Sequence, residues 1–386
     1  MKKREIFIVI VLITFGMMYN LYDSGEVDLF FFEECSINPK RLLDKDHPVL
    51  FPGEETRSAD VKYIDIDNAA GEIIVKKSAD STVVIKPFIR VYHKDKEKAE
   101  KIRRKINIRT AEVDGRVEIA VEPKRKFPYK RVRVRFELAV PGDVELKFYN
   151  SYGDIEITGI GGGNITLNER HGDVLVKDVA APLDIHSRHG QVSLANIAAP
   201  VDLYAQHGKT VIRDIDSLKL NIAHSKVSIA GVKNECDINY AAHCTLEVED
   251  SGRLNIEGRH TDIKLENIRD GVSIEDSHSR VNMKAISGDV KIKTRNCRIR
   301  LSDVLSDNLI IKNSHGSVDI EDISGKDLDI AVGNGDLDIR FIKVEGRINI
   351  RNRHSDIDLT YPETVTPAFN ISAKYGKMIN RTEADL

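Results

Sequence analysis

Apolar residues recur along most of this chain in pairs split by one polar residue. Ile165-Thr166-Leu167, Leu183-Asp184-Ile185, Val201-Asp202-Leu203 and Leu254-Asn255-Ile256 are examples. Four residues after such a pair stands a ring or amide residue, then a small residue, then a second pair. Early copies read Tyr152-Gly153-Asp154-Ile155-Glu156-Ile157, His171-Gly172-Asp173-Val174-Leu175-Val176 and His189-Gly190-Gln191-Val192-Ser193-Leu194. The lead residue recurs thirteen times, at 152, 171, 189, 207, 224, 243, 260, 278, 296, 315, 334, 354 and 375, spaced by 17 to 21 residues. A fifth apolar position closes the unit, as at Val179, Ile197, Ile215, Val232, Ile268, Ile286, Val304 and Ile323. The apolar offsets are thus roughly 0, 2, 9, 11 and 14 in a unit of about 18.

A fixed period of this size is the signature of a solenoid. Side chains alternate across a strand, so offsets 0 and 2, and again 9 and 11, face one lumen. The step from 2 to 9 is odd, so a corner must fall there, marked by the small residue after each lead residue. The offsets fit neither a six-residue left-handed helix nor the nonapeptide calcium repeat. The expected fold is all-β: a single-stranded, parallel, right-handed β-helix. At ~4.8 Å per rung, twelve steps make a rod of about 58 Å. Its ends need covers, expected from the segment ahead of the repeats and from residues 362–386.

The other regions differ in character. Lys2, Lys3 and Arg4 precede an apolar run from Ile6 to Leu21 with no small-x-small cleavage site after it. This predicts a cytoplasmic tip and uncleaved signal-anchor helix over 1–22, a cleaved signal peptide being the alternative. Positive charge before the span leaves the rest of the chain extracytoplasmic, on a single-pass membrane protein. Residues 23–57, with Pro39, Pro48 and Pro52, read as a linker, interrupted by Leu29-Phe30-Phe31-Phe32. Residues 58–140 read as a β-rich leading domain with one charged helix over Lys94 to Ile106. The solenoid is assigned to 141–380 and a tail to 381–386. Between Arg90 and Arg135 stand 17 Lys plus Arg against 7 Asp plus Glu. That is a solvated basic face, or one that attracts lipid headgroups or acidic wall polymers.

The pattern resembles the bacterial domain-of-unknown-function family labelled putative adhesin. The resemblance covers about 58 to 380. It rests on Asn68-Ala69-Ala70-Gly71-Glu72-Ile73, the charged helix, Leu138-Ala139-Val140-Pro141 and the repeated Gly-Asp-Ile/Val units. It implies an envelope-associated β-solenoid. In that family the residue before Gly is often Ser or Thr; here it is mostly His.

Composition narrows the chemistry. The net charge of -3 gives no bias toward nucleic acid. Four cysteines, Cys35, Cys236, Cys244 and Cys297, show neither a disulfide framework nor metal spacing. Cys244 and Cys297 occupy the same position three rungs apart, about 14 Å at the strand spacing, beyond disulfide reach. Nine of the 12 His are lead residues. Stacked in register they form a column, read first as a corner support for the fold. The sharper reading is a Zn²⁺ or Cu²⁺ site among His171, His189, His207, His224, His243, His260 and His278, with Asp173, Asp262 or Asp356 nearby. Closely stacked imidazoles are also expected to resist protonation, so that acid weakens the rod.

No catalytic constellation and no cofactor motif is seen, so no enzyme is expected. A polysaccharide-processing β-helix would need a groove of clustered acids and aromatic platforms, whereas here the acids are spread and Trp is absent. The expected function is a non-enzymatic, membrane-tethered, extracytoplasmic module, adhesin-like or a scaffold. The alternative is an accessory or sensor subunit of an envelope membrane complex. The partners expected are a cell-envelope polymer, a lipid surface or an envelope protein.

Overall fold

The computed structural model describes residues 48–362 and 368–383. Two parallel sheets run the length of the stack. In one, Ile165–Glu169 pairs with Glu145–Asn150 on one side and Leu183–Ser187 on the other. In the second, Val174–Val179 lies between Ile155–Thr158 and Val192–Gln206. The apolar pairs stay in register: Ile165 sits on Leu183, Leu167 on Ile185, Val174 on Val192 and Val176 on Leu194. The same pairing continues to Ile348 on Phe369 and Ile357 on Met378. The solenoid and its parallel pairing are as the periodicity predicts.

The lumen is largely aliphatic. Ile155, Ile157, Leu167, Ile185, Leu203, Leu220, Ile263 and Ile311 are all fully buried. Successive rungs bring like residues into contact, so each apolar column is continuous along the rod and hydrophobic burial holds the rungs together.

The first corner is tight enough to dictate its residues. A Cβ on Gly172 would lie 1.9 Å from the Gly153 carbonyl oxygen, and one on Gly190 would lie 1.8 Å from that of Gly172. Further along the rod the corner is solved differently. There the lead residue itself takes the left-handed conformation, at φ 53° for His224, 55° for His243, 52° for His260, 62° for His278 and 58° for Asn296. His and Asn are among the few non-glycine residues enriched in that region. The next residue then donates back to the carbonyl preceding the lead residue. Ser225 Oγ reaches Ala223 O at 2.9 Å, Cys244 Sγ reaches Ala242 O at 3.1 Å, and Thr261 Oγ1 reaches Arg259 O at 3.1 Å.

The sheets extend into the region ahead of the repeats. Tyr63–Asn68 pairs in parallel with Glu145–Asn150, and Ile73–Lys77 with Ile155–Thr158. Beyond them lies another rung, Arg116–Glu122 and Val132–Val140. Stack order therefore departs from chain order here. Antiparallel strands run along that last rung: Asn107–Val113 beside Arg116–Glu122, and Val83–Tyr92 beside Val132–Val140. Arg133 and Arg135 point outward from a strand whose alternate residues Val132, Val134 and Phe136 are buried. The helix is Lys96–Arg103, capped by Asp95, whose carboxylate accepts from the backbone N–H of Glu97 and Lys98.

Two expectations need correction. The segment expected as linker contains strands Pro48–Pro52 and Thr56–Ser58, both antiparallel to Val83–Tyr92. Pro48 and Pro52 suit an outer strand, where a missing N–H costs no ladder bond. The segment expected to cover the far end, residues 362–386, instead supplies the final rung: Ala368–Ala373 and Met378–Glu383 continue the two sheets. Its apolar residues are correspondingly open, with Phe369 37%, Met378 51% and Ile379 42% exposed. The apolar run Ile6 to Leu21 lies outside the described residues, as does Leu29 to Phe32. Among the described residues no helix is long and apolar enough to cross a membrane.

Candidate functional site

The first corner throws each lead side chain outward. The rings stack face to face along the rod. His171 to His189 is 4.9 Å between ring centroids with 3° between planes. The following steps, through His207, His224, His243, His260 and His278, are 4.9 to 5.1 Å. Tyr152 stacks on His171 at 4.9 Å, and Tyr129 covers Tyr152 at 4.6 Å. Tyr129 comes from the loop after the cis Glu122–Pro123 bond, not from a repeat, so periodicity could not find it. At the other end Asn296 Nδ2 lies 2.9 Å from His278 Nε2, an amide bonding where a ring would stack. His354 and Tyr375 stack again at 4.9 Å. All these histidines are exposed, so the column is a ridge on the surface rather than part of the core.

This geometry bears on the metal reading. In stacked rings about 5 Å apart the nitrogen lone pairs lie in parallel planes and do not meet at one point. Tetrahedral Zn²⁺ needs nitrogens converging at about 2.0–2.1 Å. Seven histidines side by side do not converge. Among the described residues no group of three or more His, Cys, Asp or Glu could hold an ion. The nearby aspartates have other roles. Asp173 Oδ1 accepts from the Gln191 N–H at 2.8 Å, Asp356 Oδ1 from the Lys377 N–H at 2.8 Å, and Asp262 pairs with Arg280 at 3.2 Å. They stitch one rung to the next. Cys236, Cys244 and Cys297 are buried free thiols, and burial pushes each up, away from the reactive thiolate. Cys35 lies outside the described residues.

Partial desolvation, then the neighbouring His189 and Arg170, holds the exposed His171 below the usual imidazole range. His243 is lowered by partial desolvation, then by His260, His224 and Arg259. Titration of these two rings by NMR should give midpoints below about 6.5. A midpoint at or above that value would mean the rings do not stack in solution. The sign for stability follows. The unfolded chain takes up these protons first, so their contribution is complete above about pH 6.5 and declines as pH falls through it.

Sequence reading missed two further columns. Two residues before each lead residue runs an inward column that includes Asn68, Asn150, Glu169, Ser187, Asp276, Thr294, Asn313 and Asn352, all buried. It serves the corner backbone. Asn150 Nδ2 donates to Gly71 O at 2.9 Å and Gly153 O at 2.8 Å, and Asn313 Nδ2 to Cys297 O at 2.8 Å and Gly316 O at 3.0 Å. Glu169 Oε1 accepts from the N–H of Arg170 at 3.0 Å and of His171 at 2.9 Å. The signal was the same alternation carried one step past the apolar pair. The second column marks another corner. Asp178, Asn196, Asp214, Asp250, Asn267, Asp303 and Asp322 all have φ between 51° and 57°. Most of them directly precede the fifth apolar position, where Asp or Asn recurs because it tolerates this conformation.

With this geometry in place, the chain can be set beside known proteins. Residues 243–385 match the family model Toastrack DUF4097. That match bears out the resemblance drawn from the sequence over the rungs from His243 onward. No curated protein matches the chain. Among solved structures, a putative adhesin from Bacteroides fragilis is 12% identical over 87% of this chain and 97% of its own, with a TM-score of 0.19. A putative cell adhesion protein from Clostridium sporogenes is 9% identical over 87% and 100%, with a TM-score of 0.17. A putative lipid binding protein from Parabacteroides distasonis is 10% identical over 88% and 98%, with a TM-score of 0.18. At these values the likeness speaks to no functional residue.

Proposed function

We propose that this chain is a non-enzymatic binding module of the cell envelope. Its N-terminal apolar segment tethers it to the membrane, and the solenoid stands outside the cytoplasm. Its partner is an extended anionic envelope polymer. The observation that supports this reading is the repetition of the exposed ridge. An active site needs one rung to differ from its neighbours, with a nucleophile or acid set against a base. Here the same ring is offered rung after rung, at about 5 Å, and arginines and lysines such as Arg170, Arg188, Lys209, Lys226, Arg280 and Arg298 flank it. A repeated surface suits a repeated ligand.

The test is a binding screen with the full chain purified in detergent. The probes are polyglycerol phosphate, polygalacturonate, neutral dextran, phosphatidylglycerol vesicles and Zn²⁺. The expected result is retention by the two anionic polymers that weakens with salt, and none by dextran. Absence of polymer binding, or cleavage of either polymer, would overturn the reading.

A further inference from the structure

A regular solenoid presents a flat outer wall unless some rung lacks outward side chains. Such a gap occurs in the C-terminal half, on the face of the first sheet beside the ridge. The positions one and three before the lead residue point outward there. In successive rungs they are Lys293 and Arg295, Lys312 and Ser314, Ala331 and Gly333, then Arg351 and Arg353. Ala331 and Gly333 leave the backbone bare. A Cβ on Gly333 would lie 2.3 Å from the Ser314 carbonyl oxygen, so no side chain can fill the gap from that position. The result is an open groove of about 980 Å³, with Lys374 at its far end. Lys312 and Arg351 stand on either side of the bare rung, two steps or about 10 Å apart along the stack.

The charge in the groove is lopsided. Six cations line it, Lys293, Arg295, Lys312, Arg351, Arg353 and Lys374, against two acids, Glu275 and Asp276. Glu275 is taken by Lys293 at 2.8 Å, and Asp276 is buried and accepts from Ser279. Arg351 pairs with Asp329 at 2.9 Å. Arg295, Lys312 and Arg353 have no ion pair among the described residues. Lys312 is the register neighbour of Lys293, whose charge Glu275 already meets, so Lys312 is left with no acidic partner of its own among the described residues. We infer that this groove is a binding site for one segment of an anionic glycan chain. Its phosphate or carboxylate groups meet Arg295, Lys312 and Arg353, and its backbone crosses the bare floor at Ala331 and Gly333.

The lining favours a polar chain over a membrane: Val332 is buried in the lumen, which leaves Ala331 as the only apolar side chain among the described residues that line the groove, too small to anchor in a bilayer. The inference rests on the proposed function and localises it. The groove also lies many rungs from the basic segment 90–135, so the two can be told apart.

The experiment compares the full chain with K312E/R353E, K312Q/R353Q and a helix control, K98E/K101E. Each is titrated with polyglycerol phosphate, polygalacturonate and phosphatidylglycerol vesicles at low salt. Circular dichroism melts confirm that the exposed substitutions leave the fold intact. For at least one polymer, K312E/R353E should lose about tenfold or more in affinity, a difference of about 1.4 kcal/mol. K312Q/R353Q should lose less, and K98E/K101E little. Which polymer responds tells phosphate from carboxylate. If the parent binds polymer and the groove variants bind as well as it does, the groove is not the site, while the proposed function stands. Loss confined to the helix control moves the site to the leading segment. Binding to vesicles alone assigns the cations to lipid and overturns the inference, and a parent that binds no polymer overturns the function with it.

Discussion

Ile256→Asp should destabilise the solenoid by about 4 kcal/mol or more, the range reached when an unpaired charge is buried. Ile256 is 1% exposed and sits between Ile238 and Ile274 in the lumen. Its neighbours are aliphatic, so an aspartate there finds neither a hydrogen-bond donor nor water. The carboxyl must stay protonated or the rungs must part. Glu257→Asp on the same strand is the control. It faces solvent, and surface changes of this kind stay within about 0.5 kcal/mol. Chemical denaturation followed by circular dichroism measures both. Equal midpoints for the two variants would mean that Ile256 faces outward and that the register is wrong by one residue. In a strand a one-residue slip exchanges every inside position for an outside one.

The lumen was legible because its rule is local. Alternation at Ile165 and Leu167, and its recurrence at Leu183 and Ile185, needs no knowledge of the third dimension. The corner was half legible. A small residue after each ring signalled close approach, and Gly172 and Gly190 have no room for a Cβ. What could not be read was that the ring residue itself takes the left-handed conformation from His207 to Asn296, before Gly208 as well as before Ser225, Cys244 and Thr261. That choice depends on backbone angles that the sequence encodes only as a preference. The first rungs were illegible for a different reason. The chain lays down Tyr63–Asn68 and Ile73–Lys77, leaves to build Val83–Tyr92 and the helix, and returns to stack Arg116–Glu122 and Val132–Val140 on the outer side. A period cannot announce rungs placed out of chain order. The candidate site was legible as a column, but which way its rings faced was not. That orientation decides between a convergent metal site and a stacked ridge.

Glu169→Gln should stabilise the protein at alkaline pH by about 2–4 kcal/mol and change little at pH 5. Glu169 is 2% exposed, and burial pushes its carboxyl from the ordinary 4.5 up to about 8. The folded chain therefore holds a proton that the unfolded chain releases. Stability from this group is complete below about pH 4.5 and lost as pH rises through 8, about 5 kcal/mol in all. The slope is opposite to that of His171 and His243, so Glu169 and these two ridge histidines respond to acid in opposite senses. The local structure says why glutamine should serve. Asn150 Oδ1 and Glu169 Oε2 are both buried without a partner, and the two residues are register neighbours on adjacent rungs. A protonated Oε2–H can donate to Asn150 Oδ1. A glutamine amide makes the same donation with no proton to lose, and its oxygen still accepts from the N–H of Arg170 and His171. Urea denaturation of parent and variant at pH 5, 7 and 9 gives the answer. The parent should lose stability from pH 5 to pH 9 and the variant much less. A parent at least as stable at pH 9 as at pH 5, with no gain in the variant, would show that Glu169 is ionised in the fold and that water reaches the corner column.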